Sequence, residues 1–278
     1  MSAVDLAQPP ALQSSGASFG PVTLPRVLRS EWTKIRSLRS TVFSLLAAVA
    51  FIVGFSVLVP SVIVAHWPPR DPGEALGFDP TTRSLAGVFL AQLAIGTLGV
   101  LLMSGEYATG MIRSSLAAVP KRLPVLWAKL IVFGTVTLAL TLPAVIGAFF
   151  IGQSILTRKG LETTFGHPGV ARAVIGAALY LTVVGALGLG LGALLRNTAA
   201  GISTLFGLLF VLPIIVHFLP SSWSDPIDKY LPSSAGQAVT HVRVDPTALA
   251  PWTGFGVFCA YAVVVLALAA FGLRRRDA

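Results

Sequence analysis

Residues 41 to 66 read TVFSLLAAVAFIVGFSVLVPSVIVAH, a run without a single Asp, Glu, Lys or Arg. A helix rises 1.5 Å per residue, so about 20 apolar residues cross the roughly 30 Å hydrocarbon core of a bilayer, and this run is longer than that. Lipid offers backbone N–H and C=O groups no partner, which leaves a helix as the way for one such segment to satisfy them. The same reading recurs along the chain. Residues 84 to 104, 199 to 219 and 252 to 272 are equally free of charge, while 125 to 151 and 171 to 195 each hold one charge, Lys129 and Arg172. Both lie near the end of a run, where a long side chain can snorkel to the interface. Of the 278 residues 54% are hydrophobic and 11% charged, against roughly 25% charged in soluble proteins. The expected fold is an all-α membrane protein with six transmembrane helices.

Six crossings put both termini on one side, and Lys and Arg decide which side that is. One side carries Arg26, Arg29, Lys34, Arg36, Arg39, Arg113, Lys121, Arg122, Lys129, Arg196 and Arg274 to Arg276, with the acids Asp5, Glu31, Glu106 and Asp277. The balance there is 13 − 4 = +9, and the other side holds seven bases and seven acids. The positive-inside rule makes the first side cytosolic, so a multi-pass plasma-membrane protein with both termini in the cytosol is expected. Topology accounts for the net charge of +9, and no nucleic-acid partner is expected from it.

Residues 1 to 20 are rich in Ser, Ala, Gly and Pro, lack a signal-length apolar stretch, and are expected to be a retained, disordered cytosolic tail. Residues 21 to 40 then form an amphipathic interface helix, with 41 to 278 as the membrane domain. In that helix Leu24, Leu28, Trp32, Ile35, Leu38 and Val42 fall on one stripe, with Arg26, Arg29, Lys34 and Arg36 outside it. Glu31 projects into the apolar stripe; either a base of a neighbouring element or subunit pairs with it, or it snorkels beside Lys34. Between the second and third runs, Gly105 to Leu123 is too polar to span and reads as a short cytosolic helix with Glu106, Gly110 and Arg113 on one face. Runs four and five are separated only by Arg196, Asn197 and Thr198, a tight hairpin. Gly188 and Gly192 make a G-x-x-x-G pair that permits close helix packing. In Pro220 to Pro251, Asp225-Pro226 reads as one helix start and Ser233 or Ser234 as another, giving two short helices too short to span. Ile227, Tyr230 and Leu231 are expected to face inward, with Pro232 ending the first piece.

Chemistry is sparse. No Gly-Lys dipeptide occurs, so a phosphate-binding G-x-x-x-x-G-K-[ST] loop is absent and the chain is not expected to be an enzyme. The four histidines have no H-E-x-x-H spacing and Cys259 is alone, so no metal site is expected. Ser203 and His217 are about 21 Å apart along one helix, too far for a nucleophile and its base. No acidic residue lies within any of the six runs, whereas ion-coupled transporters commonly carry an ionisable relay near the midplane. The energy for transport would therefore come from a partner.

The Ser30-Glu31-Trp32-Thr33-Lys34 helix, the six runs, the Glu106-Tyr107-Ala108-Thr109-Gly110-Met111-Ile112-Arg113 stretch and Pro120, Arg122 and Lys129 resemble the permease subunits of type-2 ATP-binding-cassette exporters. The resemblance covers the chain from about residue 24. It implies a cytosolic coupling helix between spans two and three that docks on a separate ATPase, a role carried here by Glu106, Thr109, Gly110 and Arg113. It also implies Glu31, Trp32 and Lys34 on the interface helix and a second permease copy in a homodimer. ATP and Mg would sit on the partner ATPase, with no cofactor on this chain. Re-entrant helices between spans five and six would form an external gate, with Tyr230, Pro232 and Gln237 in it. Phe89, Gln92, Phe206 and Phe210 are candidates to line the path. Two other classes stay open at this point: a non-transport membrane protein of bacteriocin-immunity or scaffold type, and an intramembrane lipid- or peptide-modifying enzyme.

Overall fold

The computed structural model describes residues 23–69, 77–111, 123–243 and 247–275, and among them there is no strand. Six helices are long and apolar enough to cross a membrane, the make-up of a multi-pass membrane protein. In chain order the helices are α1 Leu24–Ser37, α2 Arg39–Ala65, α3 Pro80–Ser84, α4 Val88–Ala108, α5 Leu123–Leu156 and α6 Val170–Leu195. There follow α7 Thr198–Phe206, a π-helical turn Gly207–Val211, α8 Leu212–His217, α9 Ser221–Asp228, α10 Pro232–Gln237 and α11 Pro251–Arg275. The spans are α2, α4, α5, α6, the α7–α8 unit and α11. We call the end of the bundle that holds α1 the base, and the opposite end the far end.

The second span begins four residues later than the apolar run. Asp79 caps α3 by accepting from Thr81 N (2.9 Å) and Thr82 N (3.4 Å), and Pro80 sits at the first helical position. A turn over 85–87 intervenes before α4 starts at Val88. At its other end α4 continues to Ala108 and stops where Gly110 takes a left-handed φ of 71°. The expected cytosolic helix from Gly105 is thus corrected at its start: Gly105 to Ala108 belong to the second span. Residues 112–122, which include Arg113, lie outside the described residues.

The fifth span is not one uniform helix. Pro213 lacks the N–H that would continue the α-helical ladder, and the turn before it widens into the π form.

The core is the pairing of α4 with α6, the most extensive in the bundle. The G-x-x-x-G pair explains how it forms. A Cβ on Gly188 would lie 2.3 Å from the Gly96 carbonyl oxygen, and one on Gly192 2.5 Å from that of Val100. Those two glycines therefore seat α6 on α4 within the chain. Ser104 and Thr198 add a hydroxyl–hydroxyl bond of 2.8 Å where the α6–α7 hairpin meets the base of α4. By contrast, α2, α7–α8 and α11 leave most of their apolar surface outside the bundle, Phe43, Leu46, Ile214, Val263 and Phe271 among it.

Between the fifth and sixth spans α9 and α10 are two short helices, but their starts differ from the expected caps. Residue Pro220, not Asp225, precedes α9, and Pro226 lies inside it; α10 starts at Pro232, one residue before the serines. A proline at the first helical position loses no bond, because that N–H has no partner in a helix anyway. Ile227 and Tyr230 are exposed and only Leu231 is buried. The α9 helix buries none of its residues, whereas α10 buries Pro232, Ser233, Ala235 and Gly236 against α6 and α11. Gly236 is held there by close approach, since a Cβ would lie 2.7 Å from the Tyr180 ring and 2.8 Å from that of Phe258.

Candidate functional site

Two polar constellations stand out, one at each end. At the base, α1 packs on α5 through Val27, Glu31 and Ile35, one residue per turn. Leu24, Trp32 and Leu38 of the apolar stripe face away from the bundle, and Glu31, 2% exposed, lies at the centre of the face packed on α5. The reason is ionic. Lys129 Nζ donates to Glu31 Oε2 at 2.6 Å and to Glu106 Oε1 at 2.9 Å; Lys34 Nζ donates to Glu31 Oε1 at 2.8 Å and to Glu106 Oε1 at 2.9 Å. Two ammonium groups and two carboxylates alternate in a closed ring, drawn from α1, α4 and α5. Burying a single ion costs several kcal/mol unless it is paired and hydrogen-bonded, and this ring has no net charge to bury. Lys129, expected to snorkel, is instead 2% exposed and supplies the ring's innermost cation. Burial works against the Lys34 ammonium, but its hydrogen bonds to Glu31 and Glu106 and their negative charge outweigh that, so its pKa lies above the ordinary 10.5.

Glu106 is therefore a bundle-facing residue, 8% exposed. The position next to it remains at the surface. Thr109 is exposed and its hydroxyl donates to Gly105 O at 2.9 Å, and Gly110 is exposed with no heavy atom near where a Cβ would be. Tyr107 lies under the Arg196 guanidinium, 5.1 Å from ring centroid to Cζ, which ties the α6–α7 hairpin to the end of α4.

At the far end the polar groups are neutral. The Tyr180 hydroxyl, in the middle of the core of α6, donates to Gln92 Oε1 of α4, and Gln237 of α10 reaches the same hydroxyl. A cavity of about 100 Å³ lies against this chain, bounded by Thr82, Phe89, Gln92, Tyr180, Gln237 and Thr240. Arg172 closes the segment behind it by donating to His241 O (2.9 Å) and Val242 O (3.3 Å). Partial burial pushes the His241 imidazole below its ordinary pKa of 6.5; Asp79 opposes that shift and Arg172 adds to it. A larger cavity of about 510 Å³ opens between α8, α9 and residues 247–249. Its carboxylates, Asp225 and Asp228, are exposed and solvated, so it selects less strongly than the small one.

Of the residues expected on the path and at the gate, Phe89, Gln92 and Gln237 line the small cavity. Phe89 and Phe210 meet edge to face with centroids 5.3 Å apart, and Phe210 and Phe206 are 5.7 Å apart. Pro232 is buried at the start of α10, while Tyr230 is half exposed with the Lys229 ammonium 5.4 Å from its ring. Sequence reasoning missed Tyr180 and misread Lys129. A signal existed for Tyr180: a buried Tyr hydroxyl needs a partner, and Gln92 is a polar residue of the second span.

No group of three or more metal-binding side chains occurs among the described residues. No protein-family model matches this chain, and a search of curated proteins finds no match either.

Proposed function

We propose that this multi-pass membrane protein is the permease subunit of an ATP-binding-cassette exporter. In this reading it moves a small molecule, peptide or lipid-like substrate outward with ATP hydrolysed by a separate subunit, as one of two permease copies. The observation that carries the reading is the ion ring. It joins α1 to the bases of α4 and α5, and the α4–α5 connection is the element on which the resemblance places ATPase docking. A push on that connection would be passed to the second and third spans and to α1, because each ion of the ring holds two partners and separating the helices would strip buried charges of them. The base is the cytosolic side in this proposal, by the +9 against zero balance of charge. Thr109, Gly110 and Arg113 are the docking contacts, and α10 with Gln237 forms the external gate.

The test is purification from native membranes in mild detergent. A Mg-ATP-hydrolysing ATP-binding-cassette subunit should come with the chain, and Arg113→Glu should reduce both recovery and hydrolysis about tenfold while membrane insertion is unchanged, as expected for charge reversal at a paired interface. Recovery of the chain without such a subunit, or undiminished association in the variant, would overturn the reading.

A further inference from the structure

The far-end cavity has a donor and acceptor pattern that no part of the chain completes. Gln92 is 1% exposed, its Oε1 is taken by Tyr180, and its Nε2 has no hydrogen-bond partner among the described residues. Gln92 lines the cavity, and an amide donor facing it favours an occupant that accepts from it. Thr240 also lines the cavity, and its hydroxyl, having donated its proton to Gln237 O at 2.7 Å, keeps only acceptor capacity for an occupant. One wall therefore donates and another accepts. No Asp, Glu, Lys or Arg lines the cavity, and its one ionisable group, the His241 imidazole, has a pKa below the ordinary 6.5 and is uncharged at neutral pH, so a charged group entering there would lose water and gain no counter-ion. Its size adds a limit: with about 30 Å³ per water-sized group, 100 Å³ holds a head of roughly three heavy atoms. Beside the mouth, Phe89 is 53% exposed and continues through Phe210 to Phe206 as an aromatic track on the flank of the bundle.

We propose that this cavity and track bind an uncharged amphiphile, with a compact head that both donates and accepts hydrogen bonds, such as a primary amide, placed between Gln92 and Thr240. The aromatic or alkyl body of the ligand lies along Phe89 and Phe210. The head displaces water from the cavity and completes the Gln237–Tyr180–Gln92 chain, so binding ties α10 to α4 and α6. The inference concerns binding alone and does not rest on the exporter reading.

The test uses the purified full chain in phosphatidylcholine nanodiscs and two photoreactive probes of one shape, benzophenone-4-carboxamide and benzophenone-4-carboxylate. Crosslinks are mapped by peptide mass spectrometry and expressed as labelling of residues 82–92 and 206–210 relative to the outward face of α2, which corrects for partition into lipid. The carboxamide should give a ratio about tenfold above that of the carboxylate, the loss of one or two hydrogen bonds to the site being worth that factor. Gln92→Met should lower the carboxamide ratio about tenfold. Thr240→Val, at the rim and outside the Tyr180–Gln92 bond, should lower it several-fold while leaving thermal unfolding unchanged. Equal ratios for the two probes, a ratio near one for the carboxamide, or a ratio that Thr240→Val and Gln92→Met both leave intact would each overturn the proposal. ATPase is absent from the assay, so failure of the exporter reading leaves this outcome unaffected.

Discussion

The base and the far end of this bundle both bury polar side chains between spans, and they do it with opposite chemistry. At the base Glu31, Lys34, Glu106 and Lys129 use formal charge, and each carboxylate accepts from both ammonium groups. At the far end Gln92, Tyr180 and Gln237 use neutral groups, with the Tyr180 hydroxyl donating to Gln92. A charged ring is stiff: no member can leave without stranding an ion, and so its three helices move together. A neutral chain is cheaper to open and re-form, since each bond nets only about 1 kcal/mol. The difference assigns rigidity to the base and adjustability to the far end, where α10 and the π turn of the fifth span also lie.

The sharpest way to break this contrast is Lys129→Met. It leaves two buried carboxylates facing one partly exposed cation and should destabilise the protein by about 3–5 kcal/mol, read as a large fall in the thermal unfolding midpoint in detergent. Adding Glu31→Gln to that variant returns the ring to one cation and one anion and should recover at least half of the loss. No recovery would mean that the cost is packing and not charge.

Tyr180→Phe should cost less, about 1–3 kcal/mol, because it leaves the Gln92 carbonyl oxygen without its donor but strands no ion. A loss as large as that of Lys129→Met would erase the proposed difference between the two ends. Lys34→Met should cost still less, about 1 kcal/mol, since its side chain is 24% exposed and water screens its pairs.

The smallest effect is alkaline. Lys34 has a raised pKa, so its contribution is complete below the ordinary 10.5 and is lost as pH rises through its higher folded value. The midpoint difference between wild type and Lys34→Met should be flat from neutral pH to about 10 and shrink above 10.5. A difference that shrinks already near pH 8 would place Lys34 outside the ring.

The six spans, the separate helix before them, the short α6–α7 connection and the two short helices at the far end were legible in the sequence. Each follows from local rules: an uncharged run of about 20 residues has no option in lipid but a helix, and prolines and glycines mark where helices start and stop. Phe89, Gln92 and Phe210 stood out as aromatic or polar residues in apolar runs, and Gln237 came from the resemblance; the structure places Phe89, Gln92 and Gln237 around one cavity.

What only the tertiary structure decided was orientation and partnership. Hydropathy put Lys129 at a lipid interface and left the partner of Glu31 open; the fold packed α1 on α5 through Glu31 and drew Lys129 inward, because paired ions in a dry site attract strongly. The partners in the ring are separated by up to 98 positions in the chain, and those in the Tyr180–Gln92 bond by 88. No spacing rule reaches that far. The G-x-x-x-G pair likewise announced a close contact without naming the surface, and α4 proved to be that surface. Helix formation in lipid is set by backbone groups within four residues of one another, and so the sequence alone determines it. Which faces meet is set by packing and charge among helices that the chain brings together only once it has folded.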